Sequence, residues 1–148
     1  MQRSLVLIKP DSVERGLVWE IVSRFERKGL KIIGIKMIKM TEELIKSHYA
    51  HLASKPFFPE IVAYMTISPI VAMVVEGVDA IPSLRNIVGA TNPVEAAPGT
   101  IRGDLALTIR FNLVHASDSE ETAKVEIERF FSPNEVFDYG KIDKDLLY

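Results

Sequence analysis

Asn112-Leu-Val-His-Ala-Ser-Asp-Ser119 carries the chain from an apolar run into a helix start. Downstream, Ser117-x-x-Glu120 or Asp118-x-x-Glu121 reads as a capping box opening a helix with Ala123, Ile127, Phe130 and Phe131. A strand therefore ends where a helix begins, and His115 falls at that end, beside backbone N–H groups that attract anions. A histidine there can attack phosphorus without a strong base, because an imidazole is largely neutral near pH 7 and keeps one ring nitrogen free. An isolated H-x-S-D segment is more often a histidine that closes a strand and bonds to the cap. The rest of the chain decides between these readings.

Upstream, strand-like and helix-like runs alternate. Ser4-Leu-Val-Leu-Ile8 is a short buried strand ended by Lys9-Pro10-Asp11, since proline breaks the ladder and disfavours helix before it. Lys9 thus sits at a strand's C-terminal end. Val13, Leu17, Ile21 and Phe25, with Val18 and Val22 beside them, predict one amphipathic helix stopping at Lys28-Gly29. Leu30 to Met40 is β-branched and lysine-interleaved, a strand with one wet face. Thr41 caps a helix with Glu42 and Glu43 in its first turn and Leu44, Ile45, Tyr49 and Leu52 inward, leaving Lys46 and His51 in water. Pro56-Phe-Phe-Pro59 breaks that helix and opens another through Ile61, Val62 and Met65.

Pro69 to Val75 is the most hydrophobic run and reads as a central strand. Asp79 caps a short helix with Ile81, Leu84, Ile87 and Val88. Gly89 to Gly103, holding Pro93, Pro98 and Gly99, is the longest stretch without a periodic pattern; Arg85 precedes it and Arg102 lies near its end. Loops of that length in compact domains are commonly functional. The order β-α-β-α-β-α-β predicts a four-stranded sheet with helices packed on it.

The 148 residues are expected to form one domain, 1–148, burying roughly 68–70% of the unfolded surface without metal or disulfide. The absence of cysteine excludes a disulfide framework and a Cys-based zinc or redox site, and fits a cytoplasmic protein. No apolar segment approaches the ~20 residues of a membrane span, so no membrane partner is expected. A net charge of −2, with both signs mixed, gives no basic field to gather nucleic acid. Four Asn, one Gln and abundant Ile deplete the chain of heat-labile residues, a feature shared with thermophilic proteins that does not by itself assign the chain to one.

Five segments together carry a resemblance that none carries alone: Lys9-Pro-Asp-Ser-Val-Glu-Arg-Gly-Leu-Val18, Lys55-Pro-Phe-Phe-Pro59, Gly89-Ala-Thr-Asn-Pro93, Pro98-Gly-Thr-Ile-Arg-Gly-Asp104 and Asn112 to Ser119. In order and spacing, over nearly the whole chain, they resemble nucleoside diphosphate kinase. The resemblance implies an α+β, ferredoxin-like four-stranded antiparallel sheet with helices packed on it. It also implies Mg²⁺-dependent phosphate transfer between nucleoside tri- and diphosphates, such as ATP and GTP pairs, in two half-reactions through a phosphohistidine.

Carried over residue by residue, the resemblance makes His115 the nucleophile. Glu126, which alone reads as a solvent-facing helix glutamate, becomes the group that orients the imidazole, and Ser117 supports it. Phosphoryl transfer is catalysed mostly by positioning and countercharge, which Lys9, Arg85 and Arg102 would supply. Thr91 would donate its hydroxyl to the phosphates, and Tyr49 would hydrogen-bond near the transferred group. Asn112 and Lys9 would hold the sugar hydroxyl. Phe57 matches the base-stacking residue at the cleft mouth, where a π-face serves every base, and Ile109 would close the other side of the base. No dedicated protein metal ligands are implied, because Mg²⁺ arrives on the nucleotide phosphates.

The sequence departs from the family pattern at three positions. Ala116 follows the histidine where glycine is common, which would cost about 1–2 kcal/mol if that backbone needed positive φ. Ser12 replaces a common glycine, and Trp19 stands at a usually small site, where it suits a subunit contact. The 89–103 loop resembles the family's trimer-contact segment, so a homo-oligomer, a hexamer, is expected. The competing reading is a catalytically inactive ferredoxin-like module that senses nucleotides or binds nucleic acid; the intact set of functional residues argues against it. His48 and His51, three apart, have metal-ligand spacing with His115, but no carboxylate cluster in the sequence joins them.

Overall fold

The structure, a computed structural model, describes residues 1–147. β1 (Gln2–Ile8) leads into α1 (Pro10–Glu14) and α2 (Val18–Lys28), where the periodicity had predicted a single helix. Gly16 is the reason for the break. It stands at φ +69°, a left-handed conformation that glycine adopts freely, and the Leu17 N–H reaches back to the Ser12 carbonyl at 2.9 Å. α2 ends on Gly29 at φ +102°, as a helix-terminating glycine should.

β2 (Lys31–Ile38) carries a register shift between Ile32 and Gly34. α3 (Glu42–His48) starts where Thr41 accepts from the Leu44 N–H at 3.1 Å, as its sequence predicts, but stops at His48, and a 3₁₀ turn spans Ala50–Leu52. His51 consequently stands exposed and apart from buried His48. α4 (Phe58–Met65) begins with Pro59 in its first turn. β3 (Ile70–Gly77) is buried at every residue, the central strand its composition required.

α5 (Ala80–Val88) corrects one cap. Asp79 holds the N-cap position at φ +49° but makes no side-chain cap bond, and the Ile81 N–H donates instead to Oε1 of Gln2 at 3.1 Å. The 89–103 span is not irregular throughout: α6 (Ile101–Leu105) forms at its end, capped by Thr100, whose hydroxyl accepts from the Gly103 N–H at 3.0 Å. The apolar residues beyond it make only a three-residue strand, β4 (Val114–Ala116), because Leu113 turns the chain at φ +74°. α7 (Glu120–Phe130) is capped by Ser119, which accepts from the Thr122 N–H at 3.1 Å, and not by Ser117 or Asp118. A 3₁₀ turn at Pro133–Glu135 and α8 (Lys144–Leu147) complete the described chain.

The strands order β2-β3-β1-β4 with every neighbour antiparallel, the α+β, ferredoxin-like sheet that the resemblance implies. Alternation along each strand divides the core between two faces. Val6, Ile8, Met73 and Val75 pack with Phe25 of α2 and Leu84 of α5. Leu5, Leu7, Ala72 and Val74 pack with Ile45 of α3, Met65 of α4 and Phe130 of α7. Each fully buried side chain of this size contributes roughly 1.5–3 kcal/mol, so both layers hold the sheet. Register then aims the histidine: His115 lies opposite Leu7, and cross-strand partners share a face, so its ring points toward α3 and α7.

Candidate active site

His115 meets its partner well inside α7 rather than at the helix start. Glu120 lies five positions further along the chain, and although Asp118, Glu121 and Thr122 at the start of α7 line the same cleft as its ring, the Thr122 N–H is already taken by Ser119. Instead Nε2 of His115 lies 2.9 Å from Oε2 of Glu126, with the carboxylate off the line of the ring N–H, so charge and proximity hold the pair more than an ideal bond does. Oε1 of Glu126 accepts from Oγ of Ser117 at 2.7 Å, and Ser117 in turn accepts from the Leu5 N–H of β1 at 3.0 Å. Glu126 is therefore buried, not solvent-facing. Burial would raise its pKa, but the contacts from His115 and Ser117 outweigh this and hold it below the ordinary glutamate value. No hydrogen bond among the described residues engages Nδ1 of His115.

Two cations, Lys9 and Arg102, bond to the segment that leads into and forms β4. Nζ of Lys9 donates to Oδ1 of Asn112 at 2.9 Å, and Nδ2 of Asn112 donates to the Thr91 carbonyl at 3.1 Å, so three expected residues meet. Burial, with Arg102 nearby, pulls Lys9 down to about 8 against the opposing pull of Asp11. Arg102 is buried and donates to the carbonyls of Asn112 (3.1 Å), Gly89 (3.0 Å) and Val114 (2.6 Å). Its guanidinium ties the 89–100 loop to β4, a structural task the sequence did not announce. Arg85 is exposed and donates to the Ala116 carbonyl at 3.3 Å. A cleft of about 800 Å³ is lined by His48, Tyr49, Arg85, His115, Glu126 and Arg129, whereas Lys9, Thr91, Asn112 and Arg102 do not line it. A groove of similar volume between α7 and residues 131–138 contains none of the expected residues.

Tyr49 is half-buried against His48, with its hydroxyl 3.9 Å from Sδ of Met65, and burial plus the Glu126 charge push its phenol up to about 12. Phe57 is 46% exposed at the start of α4 while Phe58 fills the core, so the exposed ring is the one the resemblance selects. Ile109 is 57% exposed; among the described residues no ring contact or hydrogen bond ties it or the Phe57 ring to the cluster. Ala116 sits in β4 without positive φ, so the departure from glycine there is free of strain. Trp19 is 71% exposed on α2.

The fold also assembles groups that the sequence did not mark. Leu113 at φ +74° is clamped from three sides: its N–H donates to Oδ2 of Asp11 at 3.1 Å, and its carbonyl accepts from the Lys9 N–H at 2.9 Å and Oγ of Ser12 at 2.7 Å. Asp11 also accepts from the Tyr64 hydroxyl; burial and that bond push the Tyr64 phenol up. The only prior signal for this clamp was the position of Asp11 and Ser12 straight after Lys9-Pro10. His48, His115 and Glu126 bring three ligand-type atoms within 4.8 Å of one another, supplying the carboxylate that the sequence lacked for a metal site. Nδ1 of His48, however, already accepts from NH1 of Arg129 at 3.1 Å, and that lone pair is the one a metal there would need.

Comparison with known proteins points to one family. The sequence profile of the family described as nucleoside diphosphate kinase matches residues 2–136. A nucleoside diphosphate kinase of Archaeoglobus fulgidus is 53% identical over 148 residues, all of this chain and 98% of that protein. The crystal structure of a nucleoside diphosphate kinase family protein from Babesia bovis superposes with a TM-score of 0.96 at 41% identity, over the whole of both chains. The Halobacterium salinarum nucleoside diphosphate kinase, solved in complex with CDP, gives 0.95 at 44% identity over 99% of this chain and 98% of its own. With the fold, the profile and full-length relatives in agreement, this chain belongs to the nucleoside diphosphate kinase family.

Proposed function

We propose that His115 takes the terminal phosphate of a nucleoside triphosphate on Nδ1 and passes it to a nucleoside diphosphate. The observation that carries this is the 2.9 Å approach of Nε2 to a buried carboxylate, which directs the ring proton there and leaves the Nδ1 lone pair for phosphorus. In the first half-reaction the Nδ1–P bond forms, the bond from that phosphorus to the bridging oxygen breaks, and the diphosphate leaves with the electron pair. In the second, a terminal oxygen of another nucleoside diphosphate attacks the phosphohistidine and the N–P bond breaks. Glu126, steadied by Ser117, offsets the positive charge that grows on the imidazole.

Lys9, Arg85 and Arg102 would balance charge on the transferred phosphoryl oxygens, with Thr91 and Tyr49 donating hydroxyls. Lys9 and Asn112 would hold the sugar, and Phe57 and Ile109 would bracket the base. A magnesium ion bound by the nucleotide phosphates would neutralise their charge. Glu126 is engaged by His115 and Ser117 and Asp11 by Tyr64 and Leu113, which fits an ion carried mainly by the phosphates, with Asp118 and Glu121 the further carboxylates along the cleft.

Residues 1–148 are proposed to act as one domain, because the described helices pack on a single sheet; Tyr148 lies outside the described residues. A hexamer is the proposed assembly, with Val94, 80% exposed on the 89–100 loop, and Trp19 as apolar surface for neighbouring copies to cover. Light scattering on serial dilution, run beside the activity assay, checks this, and a fully active monomer at all concentrations refutes it. No helix among the described residues is long and apolar enough to cross a membrane. The cytoplasm, where nucleotide pools are balanced, is the proposed compartment.

Incubation with Mg²⁺ and ATP labelled in its terminal phosphate, without acceptor, tests the mechanism. Label should remain on His115, labile in acid and stable in alkali. His115→Ala should bind nucleotide without turnover. Label located on Ser117 or Ser119 instead would overturn the assignment.

A further inference from the structure

His48 has no task in the transfer as proposed, yet its ring closes one side of the cluster. It stands edge-on to His115 (4.8 Å between centroids, 86°) and to Phe130 (5.3 Å, 81°), and is buried. Its Nδ1 lies 3.7 Å from Oε2 of Glu126 and 3.1 Å from NH1 of Arg129. A guanidinium donates and never accepts, so the second contact makes Nδ1 an acceptor and puts the single proton of the neutral ring on Nε2. Oε2 of Glu126 then faces a lone pair on one side, at 3.7 Å, and the His115 ring nitrogen on the other, at 2.9 Å. Arg129 follows Glu126 by three residues on α7, so helix geometry places both side chains on one face.

We propose that Arg129 is a positioning residue for phosphoryl transfer: by donating to Nδ1 of His48 it fixes that ring in its neutral Nε2–H form and reserves Oε2 of Glu126 for His115. The charges around His48 act in the same direction. Burial, His115, Arg129 and Lys9 all disfavour its cation, Glu126 alone favours it, and the balance holds His48 down to about 3. With the guanidinium removed, the neutral ring can carry its proton on Nδ1 and offer it to Oε2 of Glu126, 3.7 Å away. A ring in that form competes with His115 for the carboxylate. The inference rests on the reading of His115 as nucleophile and Glu126 as its orienting group.

The test is the rate of phosphohistidine formation in single turnover, read beside the His48 tautomer by ¹⁵N-resolved NMR. In Arg129→Ala the rate at saturating nucleotide should fall about tenfold, and His48 should move from the Nε2–H toward the Nδ1–H form. Arg129→Lys, which can still donate, should lie between the two. In a His48→Phe background, which has no ring nitrogen to donate, Arg129→Ala should lower the rate no further. Equal rates in the parent and Arg129→Ala, an unchanged Nε2–H tautomer in Arg129→Ala, or the same loss in the His48→Phe background would each overturn the proposal. Should Arg129→Ala fail to fold, ¹⁵N-resolved NMR of the unmodified protein decides it: the Nε2–H tautomer of His48 at pH 7 is required, and an Nδ1–H or charged ring refutes it. Failure of the underlying reading is separately visible, as absence of label on His115 in the parent protein whatever the tautomer of His48.

Discussion

At one end of the proposed nucleotide cleft, His115, Glu126 and Ser117 lie between the sheet and α7, linked to one another and to the β1 backbone by contacts of 2.7 to 3.0 Å. At the other, Phe57 and Ile109 are 46% and 57% exposed, with no side-chain bond to hold them. The difference suits two tasks of unlike precision. In-line attack on phosphorus tolerates little misplacement, and the groups proposed for it are mounted on a strand and a helix that share a core. Stacking on a base requires only a flat apolar face, which an exposed ring supplies to any base.

Removing the orienting carboxylate attacks the rigid end and should have the largest effect. Glu126→Ala is expected to lower kcat on the order of 100- to 1000-fold with KM little changed, read by steady-state kinetics, because it deletes charge that matters most as the imidazole becomes cationic. If KM rises and kcat holds, the carboxylate serves binding and the contrast between the two ends is mistaken.

Phe57→Ala probes the loose end. It should raise KM about tenfold for purine and pyrimidine nucleotides alike, within the ~1–3 kcal/mol of one stacking contact, and leave kcat nearly intact. A parent enzyme whose kcat/KM for one base exceeded the others by more than about a thousandfold, ~4 kcal/mol, would reveal a base-reading pocket and break the comparison from the other side.

The smallest effect is expected at Ser12, whose hydroxyl braces the Leu113 carbonyl two residues before His115. Ser12→Ala leaves that carbonyl its bond from the Lys9 N–H, so the cost should be about 1 kcal/mol in denaturant unfolding, with kcat lowered less than threefold. A loss of activity well beyond the loss of stability would show that the positive-φ turn at Leu113 sets the aim of His115 directly.

Local readings were legible where local forces decide. The Thr41 cap, the stop at Gly29 and the all-buried β3 follow from a hydroxyl before a helix, a glycine after one and an unbroken apolar run. Two local readings failed because a neighbouring alternative was equally local: Gly16 interrupts a periodicity that α1 and α2 both satisfy, and Ser119 outcompetes Ser117 and Asp118 as the cap of α7. In the site, the pattern of motifs named Lys9, Asn112, Thr91 and Arg102, and the fold brings these four together, although no residue's own spacing says that Arg102 spends three donors on backbone carbonyls.

By itself the sequence determined the four strands and most of the helices packed on them, and it singled out His115, since periodicity, capping chemistry and motif spacing are written along the chain. Only the tertiary structure decided what His115 faces. Its pairing with Leu7 turns the ring toward α3 and α7, and a slip of one residue would turn it to the opposite face of the sheet. Glu126, His48 and Arg129 become its surroundings through that register, and Arg129 reaches His48 across 81 residues of chain. No local preference encodes such a contact, because its energy exists only once the sheet has closed and the two helices lie against it.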